Sequence, residues 1–343
     1  MSAPPLSAAS TALDSAAGRR YNNRMRIIDM HCDTILKCLC ENTKLKTSDG
    51  HINAEKLKAG GSLAQCFAIY LPTNAELEGY GLTEKDPWKL YKQMLSCYED
   101  NMKDCADLIR KAYSAADIRA NASAGFISSV LTVEDGVLVD GKLQRLEEMY
   151  SDGVRMLALT WNYENSIGFP NAEGEAHFKG LKPLGFEAIE LMNRLGMIID
   201  VSHLSEGGFY DVAKNSGKPF VASHSCSRAL CNHRRNLTDD QLRAIGDTGS
   251  MVGVNFCGAF LRENQEHSYV EDIVKHMKYM VNLAGIESVG WGSDFDGIAR
   301  TILEIGDYSG MELLQRALEK EFSPAELDKI NHDNFLRVFE AQE

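Results

Sequence analysis

The sequence predicts a (β/α)8 barrel. Three observations carry that expectation. Eight short, β-branched apolar runs recur along the chain, amphipathic helical patterns separate them, and imidazole and carboxylate side chains gather at the ends of several runs. The 343 residues suit one large α/β barrel with helical additions, or two ordinary domains. An open doubly wound sheet is the structural alternative, but it usually has fewer strands.

The runs span 26–33, 62–70, 125–136, 154–161, 196–203, 218–225, 250–256 and 288–297. Between them, 182–195 carries Pro183 near its start and Gly196 after its end, which start and stop a helix. Ser205 opens another helix with Glu206 in its first turn, and Thr238, Asp239 and Asp240 form an N-cap cluster for the next. Residues 271–283 give a further helix before the last run. The stretch 87–119 is longer than one crossover needs, so additional helices are expected after strand two. Residues 309–343 are expected to be helical and to lie on the barrel exterior. The Ala-, Ser- and Pro-rich residues 1–24 lack the apolar centre of a secretory signal and are expected to form a flexible lead or an added extension, leaving 25–343 as a single barrel domain.

Composition narrows the function. A charged content of 25% beside 44% hydrophobic residues is that of a globular chain able to bury a normal core, and the net charge of −13 disfavours nucleic acid and anionic membranes as partners. The nine cysteines are odd in number and contain no C-x-x-C pair, which speaks for reduced thiols and a cytoplasmic location. No apolar run approaches the roughly 20 residues of a membrane span.

Position supplies the chemistry. Run one ends in His31-Cys32-Asp33, run three in Glu134, run five in His203, run six in His224, and run eight contains Asp294 and Asp296. Singly, each has an ordinary reading: a turn residue for Glu134, a helix-flanking surface residue for His203, a core histidine for His224, a turn cap for Asp294. Parallel barrel strands, however, point their C-terminal ends at one face, where active sites sit. One metal site at that mouth replaces the string of coincidences, and imidazole with carboxylate suits zinc. Alternation turns Cys32 away from the side shared by His31 and Asp33. His51, His177, His233, His267, His276 and His332 are expected to face solvent.

The pieces IIDMHCDTI, LTVEDG, IDVSHLS, VASHSCSR, HRRNLTDDQLRAI and GWGSDFDGI, in this order, resemble the renal or membrane dipeptidase family of zinc peptidases within the amidohydrolase-like barrels. The resemblance implies two zinc ions per chain. His31 and Asp33 would be the terminal ligands of one, His203 and His224 those of the other, and Glu134 the bridge between them. It also implies that a metal-bridging hydroxide attacks the peptide carbonyl, that Asp294 handles the water proton, and that Arg235 binds the C-terminal carboxylate of a dipeptide. Family members often carry His in an LTH run after strand four. Here the run reads LALTW, so Trp161 stands at that substrate-facing place, and its single N–H cannot titrate or bind metal as His does. Small dipeptides are thus the expected partners, and a homodimer is compatible with the sequence. Two rival readings stay in view: another metal-dependent amidohydrolase, acting on N-acyl amino acids or cyclic amides, and a catalytically silent barrel used as a binding module. Arg235 bears on the first, since a carboxylate clamp suits dipeptides and N-acyl amino acids rather than neutral rings.

Overall fold

All eight runs form parallel strands in the computed structural model, which describes residues 25–172, 174–298 and 301–343. The strands are β1 (Ile27–Asp29), β2 (Ser62–Tyr70), β3 (Ile127–Glu134), β4 (Val154–Ala158), β5 (Ile198–Asp200), β6 (Val221–Ser225), β7 (Met251–Val254) and β8 (Val289–Trp291). Each pairs with its neighbour in chain order, and β8 returns to β1 through Trp291 and Asp29, closing the ring. The pairing of β2 with β3 runs from Ala64↔Ser128 to Tyr70↔Glu134. A short strand, Ile109–Lys111, lies along β3 outside the ring. The lead expected over residues 1–24 lies outside the described residues.

The helices begin and end where local chemistry dictates. Between β2 and β3 come α-helices over Pro87–Asp104 and Ala115–Ser123, the expected additions. Asp86 caps the first by accepting from the Trp88 and Lys89 amides. The helix after β4, Pro183–Leu195, starts on Pro183 and stops at Gly196 with φ +79°. Thr238 and Gln241 form a reciprocal capping box at the start of Asp239–Asp247.

The period of two along each strand sorts side chains into two layers. Val130, Thr132 and Glu134 share one face of β3, while Leu131 and Val133 join the core beneath the helices. At the N-terminal ends of the strands, Ile28, Ala64, Val130, Met156, Ile198, Val221 and Met251 cluster with Phe335, Leu336, Val338 and Phe339. The last helix, Asn334–Glu340, therefore caps that end of the barrel, which corrects the expectation that the whole C-terminal segment packs outside. The helix Met311–Leu318 does lie in the outer layer, through Met311, Leu314 and Leu318. With one end capped, the opposite mouth is left for chemistry.

Candidate active site

The five expected ligand residues meet at the C-terminal mouth. His31 and Asp33 follow β1, Glu134 ends β3, His203 follows β5 and His224 lies in β6; all are buried. Glu134 sits at the centre. Its Oε1 is 3.0 Å from His203 Nε2 and 3.4 Å from His224 Nε2, and its Oε2 is 3.6 Å from His31 Nε2. His31 Nε2 is also 3.5 Å from Asp33 Oδ2 and 3.9 Å from Asp294 Oδ1. Two donor sets, His31–Glu134–His224 and His31–Asp33–Asp294, each bring their atoms within 4.8 Å of one another, the spacing of groups able to hold a metal ion.

Proton placement shows that these groups fit a metal. Asp200, at the end of β5, accepts from the amides of Ser202 and Ser223 at 2.9 Å and from Ser223 Oγ at 2.5 Å. With its proton given to Asp200, Ser223 Oγ accepts from His224 Nδ1 at 2.7 Å. His203 Nδ1 donates to Asn162 Oδ1 at 3.0 Å. Each neutral ring then keeps its proton on Nδ1, so both Nε2 atoms, 3.1 Å apart, present lone pairs toward Glu134 Oε1. His31 Nε2 and Asp33 Oδ1 are buried without a hydrogen-bond partner. Converging, uncompensated lone pairs and buried carboxylates are costly unless a cation joins them.

The electrostatics follow from this crowding. Burial favours neutral Glu134, but the His31 charge and contacts from His203, His224 and His31 hold its carboxyl well below the usual range. Burial and the Glu134 charge push Asp33 up to about 7. Burial raises Asp294 despite the opposing His31 charge. Burial would lower His31, yet the charges of Glu134 and Asp33 carry it well above its ordinary value. Burial, joined by the Arg235 charge, lowers His203 to about 4, and burial with the His31 charge takes His224 well below its usual value.

Asp294 is fixed from two sides. Its Oδ2 accepts from Asn255 Nδ2 at 2.9 Å, and Asn255 Oδ1 accepts the Cys257 amide at 2.6 Å, which locks the amide's orientation. The backbones of His203, Asp294 and Asp296 adopt φ of +66°, +62° and +66°, conformations uncommon outside glycine and concentrated here at the mouth. Gly297 leaves room for Asp33 and Asp294, since a Cβ there would collide with both carboxylates. Asp296 points elsewhere, accepting from the His51 amide and Thr34 Oγ1 at 2.6 Å each.

Arg235 is 4% exposed. Its Nη2 donates to the His224 carbonyl at 3.2 Å, while Nε and Nη1 have no hydrogen-bond partner. Asp239, four residues along the chain, accepts from Tyr279 Oη. Trp161 lies half-buried with its ring centroid 6.0 Å from His203 and 4.9 Å from Tyr70. It lines a cavity of about 300 Å³ together with Asp33, Glu134, His203 and Asp294.

Three groups escaped the sequence reading. Asp29 and Asp200 end matching Ile-Ile-Asp triplets in β1 and β5, and each accepts from the serine just before a site residue, Ser293 before Asp294 and Ser223 before His224. The repeated triplet was the available signal. Asn255 has no signal beyond its place after β7. The expectation of solvent-facing histidines holds for His267, whereas His51, His177, His233 and His332 are partly buried, and it fails most clearly for His276, which is 1% exposed and bonded to the Ser227 amide and Leu261 carbonyl. An amphipathic helix hides such a residue because its polar atoms find partners inside. Cys32 is turned into the outer core, as alternation required, with Sγ directed at the Cys66 carbonyl.

A closed parallel barrel whose mouth gathers imidazoles, carboxylates and a buried arginine has the architecture of a metal-dependent hydrolase. The family model described as membrane dipeptidase, peptidase family M19, matches residues 16–343, and the chain belongs to that family of metallo-dipeptidases. It is 37% identical over 263 residues to an uncharacterized protein in the pqqA 5′ region of Klebsiella pneumoniae, covering 74% of this chain and 96% of that one. It is 33% identical over 259 residues to an uncharacterized dipeptidase of Schizosaccharomyces pombe, covering 74% of this chain but only 60% of the yeast protein's length. Among solved structures, a metallopeptidase from Rhodobacter sphaeroides, liganded with a phosphinate mimic of the dipeptide L-Ala-D-Ala, is similar at TM-score 0.85 and 27% identity over 93% of this chain and 100% of that one. No helix among the described residues is long and apolar enough to cross a membrane.

Proposed function

We propose that the chain hydrolyses the peptide bond of dipeptides with two zinc ions, one held by His31 and Asp33, the other by His203 and His224, and both by Glu134. The observation that carries this reading is the convergence of His203 Nε2, His224 Nε2 and Glu134 Oε1 within 3.0–3.4 Å, while Glu134 Oε2 faces His31. When bound, the metal pair would supply Lewis acidity toward the peptide carbonyl and a water of lowered pKa. Asp294 Oδ1 takes the proton of the attacking water and returns it to the leaving amine, while Oδ2 stays tied to Asn255. Arg235 would hold the C-terminal carboxylate of the substrate through its planar guanidinium, whose Nε and Nη1 have no hydrogen-bond partner. The similarity to a metallopeptidase liganded with a dipeptide mimic supports this substrate class. Nine free cysteines support action in a reducing compartment, the cytoplasm.

Arg235→Lys tests the clamp, because lysine keeps the charge but not the fork. Losing a charge-assisted contact should cost about 10–150-fold in kcat/KM for free dipeptides. Dipeptide amides should be poor substrates of the unmodified protein and change little in the variant. Equal losses for acid and amide would remove Arg235 from this role.

The hydrogen-bond chain behind His224 gives a second expectation. Ser223→Ala deletes the acceptor that keeps the His224 proton on Nδ1, so zinc affinity should fall about 10–100-fold in a competition titration with a chelator. Unchanged affinity would show that the ring needs no such support.

A further inference from the structure

We propose that Glu76 receives the free α-ammonium of the substrate, with Tyr70 and Trp161 as the aromatic wall beside it. The inference rests on the dipeptidase reading above and narrows its substrate class.

Glu76 follows β2 and lines the same cavity as Asp33, Glu134, Trp161 and Asp294. Its Oε2 is held by the Thr73 amide at 2.9 Å, Thr73 Oγ1 at 2.7 Å and Tyr70 Oη at 3.4 Å. These donors fix the carboxylate and leave Oε1 without a partner among the described residues. No lysine, arginine or histidine among them comes within 4.0 Å of it. The other carboxylates on the cavity wall are committed: Glu41 pairs with Lys37 at 2.6 Å, Asp296 accepts from His51 and Thr34, and Asp33, Glu134 and Asp294 face the imidazoles. Glu76 is thus a fixed anion with an open oxygen and no cation.

The surroundings suit an ammonium group. The Tyr70 ring lies 4.9 Å from Trp161 and 6.5 Å from Tyr80, so the cavity wall that carries Glu76 is aromatic, and cations are drawn to carboxylates and to aromatic rings alike. Topology places this receptor opposite the anion receptor. Tyr70 is the register partner of Glu134 on β2, and Trp161 follows β4, whereas Arg235 follows β6 and bonds the His224 carbonyl. A substrate with its carboxylate at Arg235 and its ammonium at Glu76 lies across the Glu134 cluster. The spacing of opposite charges at its ends then limits its length. An N-acylated dipeptide would bring a second carbonyl oxygen toward a carboxylate that has nothing to donate, so acylation of the substrate's amine is disfavoured.

The test uses zinc-loaded protein and Glu76→Gln, whose amide oxygen still accepts from Thr73. Turnover is measured on alanylalanine and its N-acetyl derivative, and binding by calorimetry with alaninamide and N-acetylalaninamide. The expected result is a rise in KM for alanylalanine of about 10–150-fold with a smaller fall in kcat, and the same loss in alaninamide affinity. The acetylated probes should be weak and respond equally in both proteins. An unchanged KM for alanylalanine, or acetylated substrate cleaved as well as the free one, overturns the assignment while leaving the dipeptidase reading intact. If no dipeptide is cleaved but alaninamide binding still depends on Glu76, the ammonium site stands and the dipeptidase reading fails. If alaninamide binding ignores the substitution, the site falls whatever the turnover.

Discussion

Glu134→Ala should remove metal and turnover together. Glu134 presents one oxygen to His203 and His224 and the other to His31, so one carboxylate serves both halves of the cluster. Its loss leaves three buried imidazoles without the anion they share and deprives both positions of a ligand at once. The affinity loss should exceed the roughly 10–100-fold typical of a supporting partner behind a ligand. Metal analysis should find two zinc equivalents in the unmodified protein and fewer than one in the variant. The thermal shift produced by added zinc should vanish with it, because a ligand present at about 100 times its Kd contributes roughly 2.7 kcal/mol only where it binds. A variant that kept two full equivalents would show that Glu134 bridges nothing.

For Asp294→Asn the expected pattern is reversed: metal retained, kcat down by about 10²–10⁴-fold. The substitution is nearly isosteric, and asparagine tolerates the φ of +62° that Asp294 adopts. The new amide oxygen would accept from Asn255 as Oδ2 does now, placing NH2 where Oδ1 stood. That group cannot take a proton. Asp294 also stands beside His31 and Asp33 in one of the two donor sets, so metal content is the informative control. Loss of one zinc would make Asp294 a ligand first, whereas near-normal kcat would place proton transfer elsewhere.

The barrel was legible because strand alternation and helix punctuation are local properties. Pro183, Gly196 and the Thr238 capping box mark boundaries that the structure respects. His31, Asp33, Glu134, His203 and His224 were legible through position, since strand ends of a parallel ring must share one face. What was hidden depends on partners distant in sequence. The helix Asn334–Glu340 has an apolar face, but nothing in it names the barrel's inner end as the surface it covers. His276 looked like a solvent residue because its two bonding partners, Ser227 and Leu261, belong to other segments. The unpaired donors of Arg235 could not be foreseen either, because the nearby acid Asp239 is engaged by a tyrosine forty positions away. Trp161 was legible as a departure, while its contacts with Tyr70 and His203 emerge only when strands two to five lie side by side.

The ring is closed by its first and last strands, Asp29 of β1 beside Trp291 of β8. During synthesis, His31 and Asp33 leave the ribosome long before Asp294, by tens of seconds at roughly 5–20 residues per second. Until β8 arrives, the nascent barrel carries two unpaired edges and lacks Asp294. The site at the mouth is therefore complete only after translation has passed residue 294. A ribosome stalled upstream of β8 would hold a chain whose exposed imidazoles and carboxylates could scavenge metal without forming the cluster, and whose strand edges would make it a substrate for chaperones.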